Sequence, residues 1–412
     1  MRVLIRPSHA QGVIAAQPSK SMLHRALICA CLSKDASILS GYADSEDILA
    51  TSDCAGALGA QITVREQDVF VSGGTLPEQP VQLNCRESGS TMRFFMGIAM
   101  GLGIKAFFYG SRTLLNRPFG IYEKICSRQG IAFQREADHI LIDGKLKPGD
   151  FEIEGNVSSQ FISGLLFVLP LLEKDSTIRL IPPVESKSYI DLTVQMLSRF
   201  GVRVSWTDEN TLLIPGKQAY QGTTLTVEGD YSNAAFLEAL SEPAGRVIVK
   251  GLDQKSLQGD RVYRQHFESL REGEATIDLS DCPDLGPVLM AFCAMNHGAL
   301  FTGTSRLKLK ESDRGEAMCS ELSKCGIRTE KKENSIRVFA GGLHEPEVPL
   351  YGHNDHRIVM ALSVLLTRCG GSIDGAEAVR KSYPAFFEDL QHLGVDLELI
   401  REEGGEDLAN DS

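Results

Sequence analysis

No uncharged apolar run in the sequence reaches the ~18 residues that a membrane-spanning helix needs, and Met1-Arg2-Val3-Leu4-Ile5 reads as a first strand rather than as a secretion signal. The ten cysteines include no Cys-x-x-Cys pair. Several of them (Cys29, Cys31, Cys293) lie inside apolar helical stretches, so buried reduced thiols in a cytoplasmic protein are expected in place of a disulfide framework. His353 and His356 have no second cluster of ligand spacing to join them, and no metal is expected. Positive charge is short as well: 42 Lys and Arg against 54 Asp and Glu give a formal net charge of -12. That balance argues against nucleic acid and suits a small anionic ligand only if the cations are gathered in one place.

Such gathering is what the motifs suggest. There is no Walker loop, yet Pro18-Ser19-Lys20-Ser21-Met22-Leu23-His24-Arg25 supplies a turn, an N-cap and two cations before the apolar run Ala26-Leu27-Ile28. Backbone N–H groups and the macrodipole already favour anions at such a helix start. Lys308-Leu309-Lys310-Glu311-Ser312-Asp313-Arg314 and Asn354-Asp355-His356-Arg357 have the same character, each leading into a helix too apolar to lie on a surface. Glu87-Ser88-Gly89-Ser90-Thr91-Met92-Arg93 enters another apolar helix, as do Ser158-Ser159-Gln160, Ser186-Lys187-Ser188-Tyr189 and Cys282-Pro283-Asp284. For Ser158 and Ser186 an N-cap is the simplest role. Together the segments predict a cationic pocket built into an acidic molecule.

With 412 residues, 42% of them hydrophobic, the chain can form about two domains. A repeat gives their plan. Helices end on Gly59, Gly130, Gly201, a weaker Gly273, Gly326 and Gly394, spaced by 71, 71, 72, 53 and 68 residues. Each glycine is the expected C′ stop and is followed by two short strands, as in Val202-Arg203-Val204 and Leu212-Leu213-Ile214. Six α/β units of roughly 70 residues follow, too long for solenoid repeats, so each reads as helices on a small mixed sheet. A division into residues 18–227 as one domain and 1–17 plus 228–412 as the other places the cationic motifs on both sides of a cleft. The acidic, glycine-rich tail, 401–412, is expected to be disordered.

Nine ordered motifs resemble one family over nearly the whole chain. They are Pro18-Ser19-Lys20-Ser21 with Arg25, Gly89-Ser90 with Met92-Arg93, Arg117-Pro118-Phe119-Gly120, Ser158-Ser159-Gln160-Phe161, Ser186 with Tyr189-Ile190-Asp191, Pro283-Asp284, Lys310 to Arg314, Asn354 to Arg357, and Lys381-Ser382-Tyr383-Pro384. The family is that of the 5-enolpyruvylshikimate-3-phosphate synthases. The resemblance implies an α/β fold of two domains, each with three βαβαββ units, and an active site in the interdomain cleft.

It also implies the reaction: the carboxyvinyl group of phosphoenolpyruvate passes to the 5-hydroxyl of shikimate 3-phosphate and phosphate leaves, a step toward chorismate and the aromatic amino acids. Carried over motif by motif, Lys20, Ser21, Arg25, Ser158, Ser159, Gln160, Ser186, Tyr189, Asp284 and Lys310 would hold shikimate 3-phosphate. Lys20, Gly89, Arg117, Arg314, Arg357 and Lys381 would hold phosphoenolpyruvate, with Arg chosen for bidentate pairing. Glu311 is the candidate for proton exchange at the methylene and Asp284 for the hydroxyl proton, in roles that could be swapped or shared with Lys20. No metal or cofactor is required, and a monomer is expected. Glyphosate, which takes the phosphoenolpyruvate place, enters with the family, and the missing Cβ of Gly89 is expected to leave it room.

Four positions depart from the usual pattern: Glu87, Ser90, Phe94 and Arg306 stand where Asn, Thr, Pro and Asn are common. Glu87 is the oddest, an anion beside an anion site. Two other functions compete. Transfer of the same group to UDP-N-acetylglucosamine usually goes with a cysteine on the loop over the site, and Gly110 to Asn116 has none. A silent anion-binding homologue would have no reason to keep Lys20, Asp284, Glu311 and Lys381 together.

Overall fold

The computed structural model describes residues 1–78, 80–242 and 245–401, so the expectation about the tail falls, from Glu402 on, outside the described residues. Alternating apolar strands pair into small mixed sheets on which the apolar helices pack. Val81–Asn84 runs parallel to Ala106–Tyr109, which pairs antiparallel with His139–Asp143, itself in a hairpin with Ala132–Arg135. The helix Gly89–Leu102 joins the parallel pair. The same order recurs in Asp150–Glu154, Ser176–Ile181, Thr211–Ile214 and Ser205–Trp206, and five such four-stranded sheets occur among the described residues.

The sixth sheet has two strands, Gln11–Ala15 and Arg246–Lys250. Its unit is the one that ends at Gly273, the weak member of the repeat. Gly59, Gly130, Gly201, Gly326 and Gly394 are left-handed, with φ between 71° and 94°, whereas Gly273 is extended at φ 170°. No hairpin follows Gly273; Ala275–Asp278 already belongs to the next sheet. The missing hairpin accounts for the short spacing of 53 residues.

Two apolar cores result. One draws on residues from Met22 to Val227, the other on Val3 to Ile14 together with Tyr231 to Leu397; they are called here the first and the second lobe. The chain crosses between them twice, and the crossings are zipped together: Pro18 bridges Gly229, Ser19 N donates to Glu228 O at 2.8 Å, and Asp230 N donates to Gln17 O at 2.7 Å. Packing within the first lobe is close enough to need glycine. A Cβ on Gly97 of the helix Gly89–Leu102 would lie 2.4 Å from Gly164 O of the helix Ser159–Leu166, so the two buried helices meet backbone to backbone.

Candidate active site

Several of these helices are apolar nearly all round, so that only their first turns reach polar surroundings. Arg314–Lys324, expected to be too apolar for a surface, is instead amphipathic and exposes Glu316, Ser320 and Ser323. Several of the first turns open into one cleft between the lobes. Capping fixes them. Ser88 Oγ accepts from Thr91 N at 3.2 Å, Ser158 Oγ from Gln160 N at 3.3 Å, Asp313 from Glu316 N at 3.0 Å and Asp355 from Arg357 N at 3.0 Å. Two serines do otherwise. Ser19 stands at the N-cap of Lys20–Leu32 but turns its hydroxyl to Gln258 Oε1, 3.3 Å away, while Asp230 Oδ2 accepts from Lys20 N across the crossing at 3.1 Å. Ser186 also leaves its helix uncapped; its backbone is left-handed at φ 55° and its Oγ accepts from Arg306 Nη1 at 2.7 Å.

Among the described residues, the cleft is lined by eight cationic side chains, from Lys20, Arg25, Arg93, Arg117, Arg306, Lys310, Arg314 and Arg357, against the three carboxylates Asp47, Asp284 and Glu311. The acidic molecule thus has one strongly basic recess. Every residue expected around shikimate 3-phosphate faces it: Lys20, Ser21, Arg25, Ser158, Ser159, Gln160, Ser186, Tyr189, Asp284 and Lys310. So do Gly89, Arg117, Arg314 and Arg357. Lys381 does not line the recess but stands at its edge, donating to Asn354 O at 2.6 Å and paired with Glu87.

The second-lobe wall is a network of charges. Asp284 pairs with Arg314 at 2.8 Å, Arg357 at 3.0 Å and Lys310 at 3.1 Å, and accepts from Tyr189 OH at 3.2 Å. Burial opposes its charge, but Arg357, Lys310 and Arg314 outweigh that and hold it well below the usual carboxylate range. Glu311 has the same balance, with burial overcome by Arg314 first and Arg117 next. Arg314 is 1% exposed and also grips the fully buried Asp355 through Nε at 2.8 Å. His356 is buried beside them with neither ring nitrogen bonded, and burial with Lys20 and Arg357 nearby keeps it neutral. His353, three residues earlier, points elsewhere, to Glu321 Oε1 at 2.9 Å.

On the first-lobe wall, neutral groups hold Arg25 and Arg93. Arg25 donates to Thr193 Oγ1 at 2.8 Å, Ser21 O at 2.6 Å and Tyr189 O at 3.1 Å, and burial brings its pKa down to about 10. Arg93 donates to Gln160 Oε1 at 2.6 Å, and Gln160 Nε2 donates to Ser90 Oγ at 2.7 Å. Burial, with Arg117 beside it, lowers Arg93 to about 9. The Nε atoms of Arg93 and Arg117 are buried without a partner. Lys20 alone meets an acid there, Asp47, at 2.7 Å. A Cβ on Gly89 would stand 2.5 Å from Arg117 Nη1 and 3.1 Å from Arg93 Nη1, so the space that glycine leaves is taken by guanidinium groups, and a methyl there pushes Arg117 before it meets any ligand.

Sequence reasoning left Asp47, Arg93, Arg306 and His356 out of the site. Arg93, Arg306 and His356 stood inside or beside quoted motifs, so their signal was present. Asp47 had none, because its tie to Lys20 spans 27 residues of sequence.

A two-lobed α/β scaffold whose cleft gathers cations from both lobes is the class that this geometry defines. Solved structures of that class superpose on it: EPSP synthase from Acinetobacter baumannii with TM-score 0.79 at 22% identity, covering 96% of this chain and 99% of that one, and the enolpyruvyl transferase NikO from Streptomyces tendae with TM-score 0.76 at 13% identity, covering 96% and 98%. At those identities the likeness is one of fold. The family model described as EPSP synthase (3-phosphoshikimate 1-carboxyvinyltransferase) matches residues 5–390. The chain belongs to the EPSP synthase family. It is 38% identical to the 3-phosphoshikimate 1-carboxyvinyltransferase of Clostridium kluyveri, over 96% of this chain and 98% of the relative, and 38% identical to that of Clostridioides difficile, over 95% and 97%.

Proposed function

We propose that the chain transfers the carboxyvinyl group of phosphoenolpyruvate to the 5-hydroxyl of shikimate 3-phosphate and releases phosphate. The observation that carries this is the recess itself: eight cations against three carboxylates, contributed by both lobes, in a protein of net charge -12. Two polyanions are the ligands that such an excess suits. Shikimate 3-phosphate lies toward Lys20, Ser21, Arg25, Ser158, Ser159, Gln160, Ser186, Tyr189, Asp284 and Lys310. Phosphoenolpyruvate lies toward Lys20, Gly89, Arg117, Arg314 and Arg357, with Lys381 arriving from the edge.

The chemistry is addition followed by elimination. The attacking hydroxyl gives up its proton while the enol methylene gains one, and the tetrahedral adduct then loses a methyl proton and phosphate. Asp284 stands as the base for the hydroxyl. Glu311 moves the proton at the methylene: an anionic ligand that draws Arg314 and Arg117 away from it removes what depresses its pKa, and so lets it hold a proton. Residues 18–227 and 1–17 plus 228–412 act as the two closing domains, a division supported by the two separate cores. One chain supplies both walls, which supports a monomer. Ten unpaired cysteines support the cytoplasm as its place of work, and no helix among the described residues is long and apolar enough to cross a membrane.

Phosphate release with phosphoenolpyruvate and either shikimate 3-phosphate or UDP-N-acetylglucosamine tests the assignment. Release is expected with the first acceptor only; release with the second alone, or with neither, overturns it.

A further inference from the structure

Glu87 places a carboxylate at the rim of a site built for anions, and the recess has no use for it. Its partners lie in the other lobe. Asn354 Nδ2 donates to Glu87 Oε2 at 3.1 Å and to Oε1 at 3.3 Å, and Lys381 both pairs with Glu87 and donates to Asn354 O at 2.6 Å. The three groups close a ring across the cleft, 267 residues apart in sequence.

Both ends of that ring are held. On the first lobe, Arg86 is left-handed at φ 50°, a conformation costly for a residue with a side chain. It is pinned there by Glu46 Oε2 at 2.5 Å and Asp53 Oδ2 at 2.8 Å. The turn projects Glu87 toward the second lobe. On that side His353 and Asn354 are both left-handed at φ 50°, and His353 is tied to Glu321, whose buried carboxylate also takes Lys324 Nζ at 2.7 Å and Tyr351 N at 3.0 Å. This turn aims the Asn354 side chain at Glu87 and its carbonyl at Lys381.

We propose that Glu87 is a positioning residue that latches the two lobes across the cleft and sets Lys381 in place at its edge. An exposed ion pair within one lobe adds little to folding. Here the same modest energy acts on the balance between open and closed lobes, where it shifts the ratio by roughly fivefold. The consequence for catalysis rests on the reading of Lys381 as a phosphoenolpyruvate ligand; the latch itself does not.

Glu87→Gln removes the charge and keeps the shape. Small-angle scattering of the free protein should give a larger radius of gyration for the variant at low salt. The wild type should expand as salt screens the pair, and the variant should change less. In kinetics, KM for phosphoenolpyruvate should rise roughly threefold to tenfold with kcat within about twofold, Glu87→Asp should recover part of the loss, and the thermal midpoint should stay put. A radius and salt response identical to wild type overturn the latch. A larger radius with unchanged KM upholds the latch and removes Lys381 from the phosphoenolpyruvate site.

Discussion

The two walls of the cleft differ in how they hold their arginines, Arg25 and Arg93 on one side and Arg314 and Arg357 on the other, although burial also lowers Arg306 and Lys310 on the second wall. On the first-lobe wall Arg25 and Arg93 are satisfied by hydroxyl, carbonyl and amide oxygens, and burial lowers them to about 10 and about 9. On the second-lobe wall burial works against Arg314 and Arg357 too, but Asp355 and Glu311 for one and Asp284 for the other outweigh it and raise both. On the first wall Lys20 is paired with Asp47, but Arg25 and Arg93 are held by neutral oxygens, and a ligand anion relieves them. The second is neutralised from within, and a ligand anion must share its cations with carboxylates. Binding is therefore favoured mostly at one wall, while the other has carboxylates positioned for proton transfer.

The comparison breaks most easily at Arg314. Arg314→Met leaves the fully buried Asp355 and the partly buried Asp284 and Glu311 without their shared cation, and removing one partner of a buried pair costs about 3–5 kcal/mol. Urea unfolding should show that loss; one below about 1 kcal/mol would mean that the wall is not held by charge. Next in size is Glu311→Gln, which keeps a similar shape and should still bind shikimate 3-phosphate, with turnover lower by roughly 100-fold, the usual scale for a positioned acid–base group. Near-normal turnover would remove Glu311 from the proton path.

What could be read from the sequence was whatever is local. Lys20, Arg25, Lys310 and Arg357 were legible because an anion site at a helix start is written in a few consecutive residues, and the repeat was legible because a left-handed stop requires glycine at Gly59, Gly130 and Gly201. The pairings were not. Arg314 meets Asp284 and Asp355 at separations of 30 and 41 residues, and Arg93 meets Gln160 at 67, distances over which no periodicity speaks. Ser186 shows the limit from the other side: it stands at the expected N-cap, yet Arg306, 120 residues away, takes its hydroxyl.

A smaller effect sharpens the contrast at Arg93. Its guanidinium lies over Phe161 at 5.2 Å and Phe119 at 5.7 Å with Nε unbonded, surroundings that an apolar chain of similar length would fill. Arg93→Met should therefore be as stable as the wild type or better by about 1 kcal/mol, since replacing buried charge by a packed apolar group is often neutral or stabilising. Anionic substrate should bind roughly tenfold more weakly, because the recess loses one of its eight cations and Gln160 loses its donor. Destabilisation on the scale expected for Arg314→Met would erase the distinction between the walls.

The smallest effect is a slope. His24 is buried in the first wall, its Nδ1 bonded to Thr51 Oγ1 at 2.7 Å and its Nε2 unpartnered, with Phe94 edge-on at 6.4 Å. Burial, then Lys20 and Arg25, push its pKa well below 6.5. The unfolded chain thus binds a proton near pH 6.5 that the folded chain refuses, so the stability contributed by the neutral ring is complete above that pH and declines as the pH falls below it. Neutral His356 adds a slope of the same sign. Asp260, raised to about 6 by burial with Asp284 next, acts in the opposite sense between about pH 4 and 6. Comparing variants at one site separates these contributions: His24→Asn keeps a polar partner for Thr51 but cannot titrate. Its unfolding free energy, followed from pH 7.5 down to 5.5, should fall less steeply than that of the wild type. Parallel curves would mean that the ring is not held neutral by its burial beside Lys20 and Arg25.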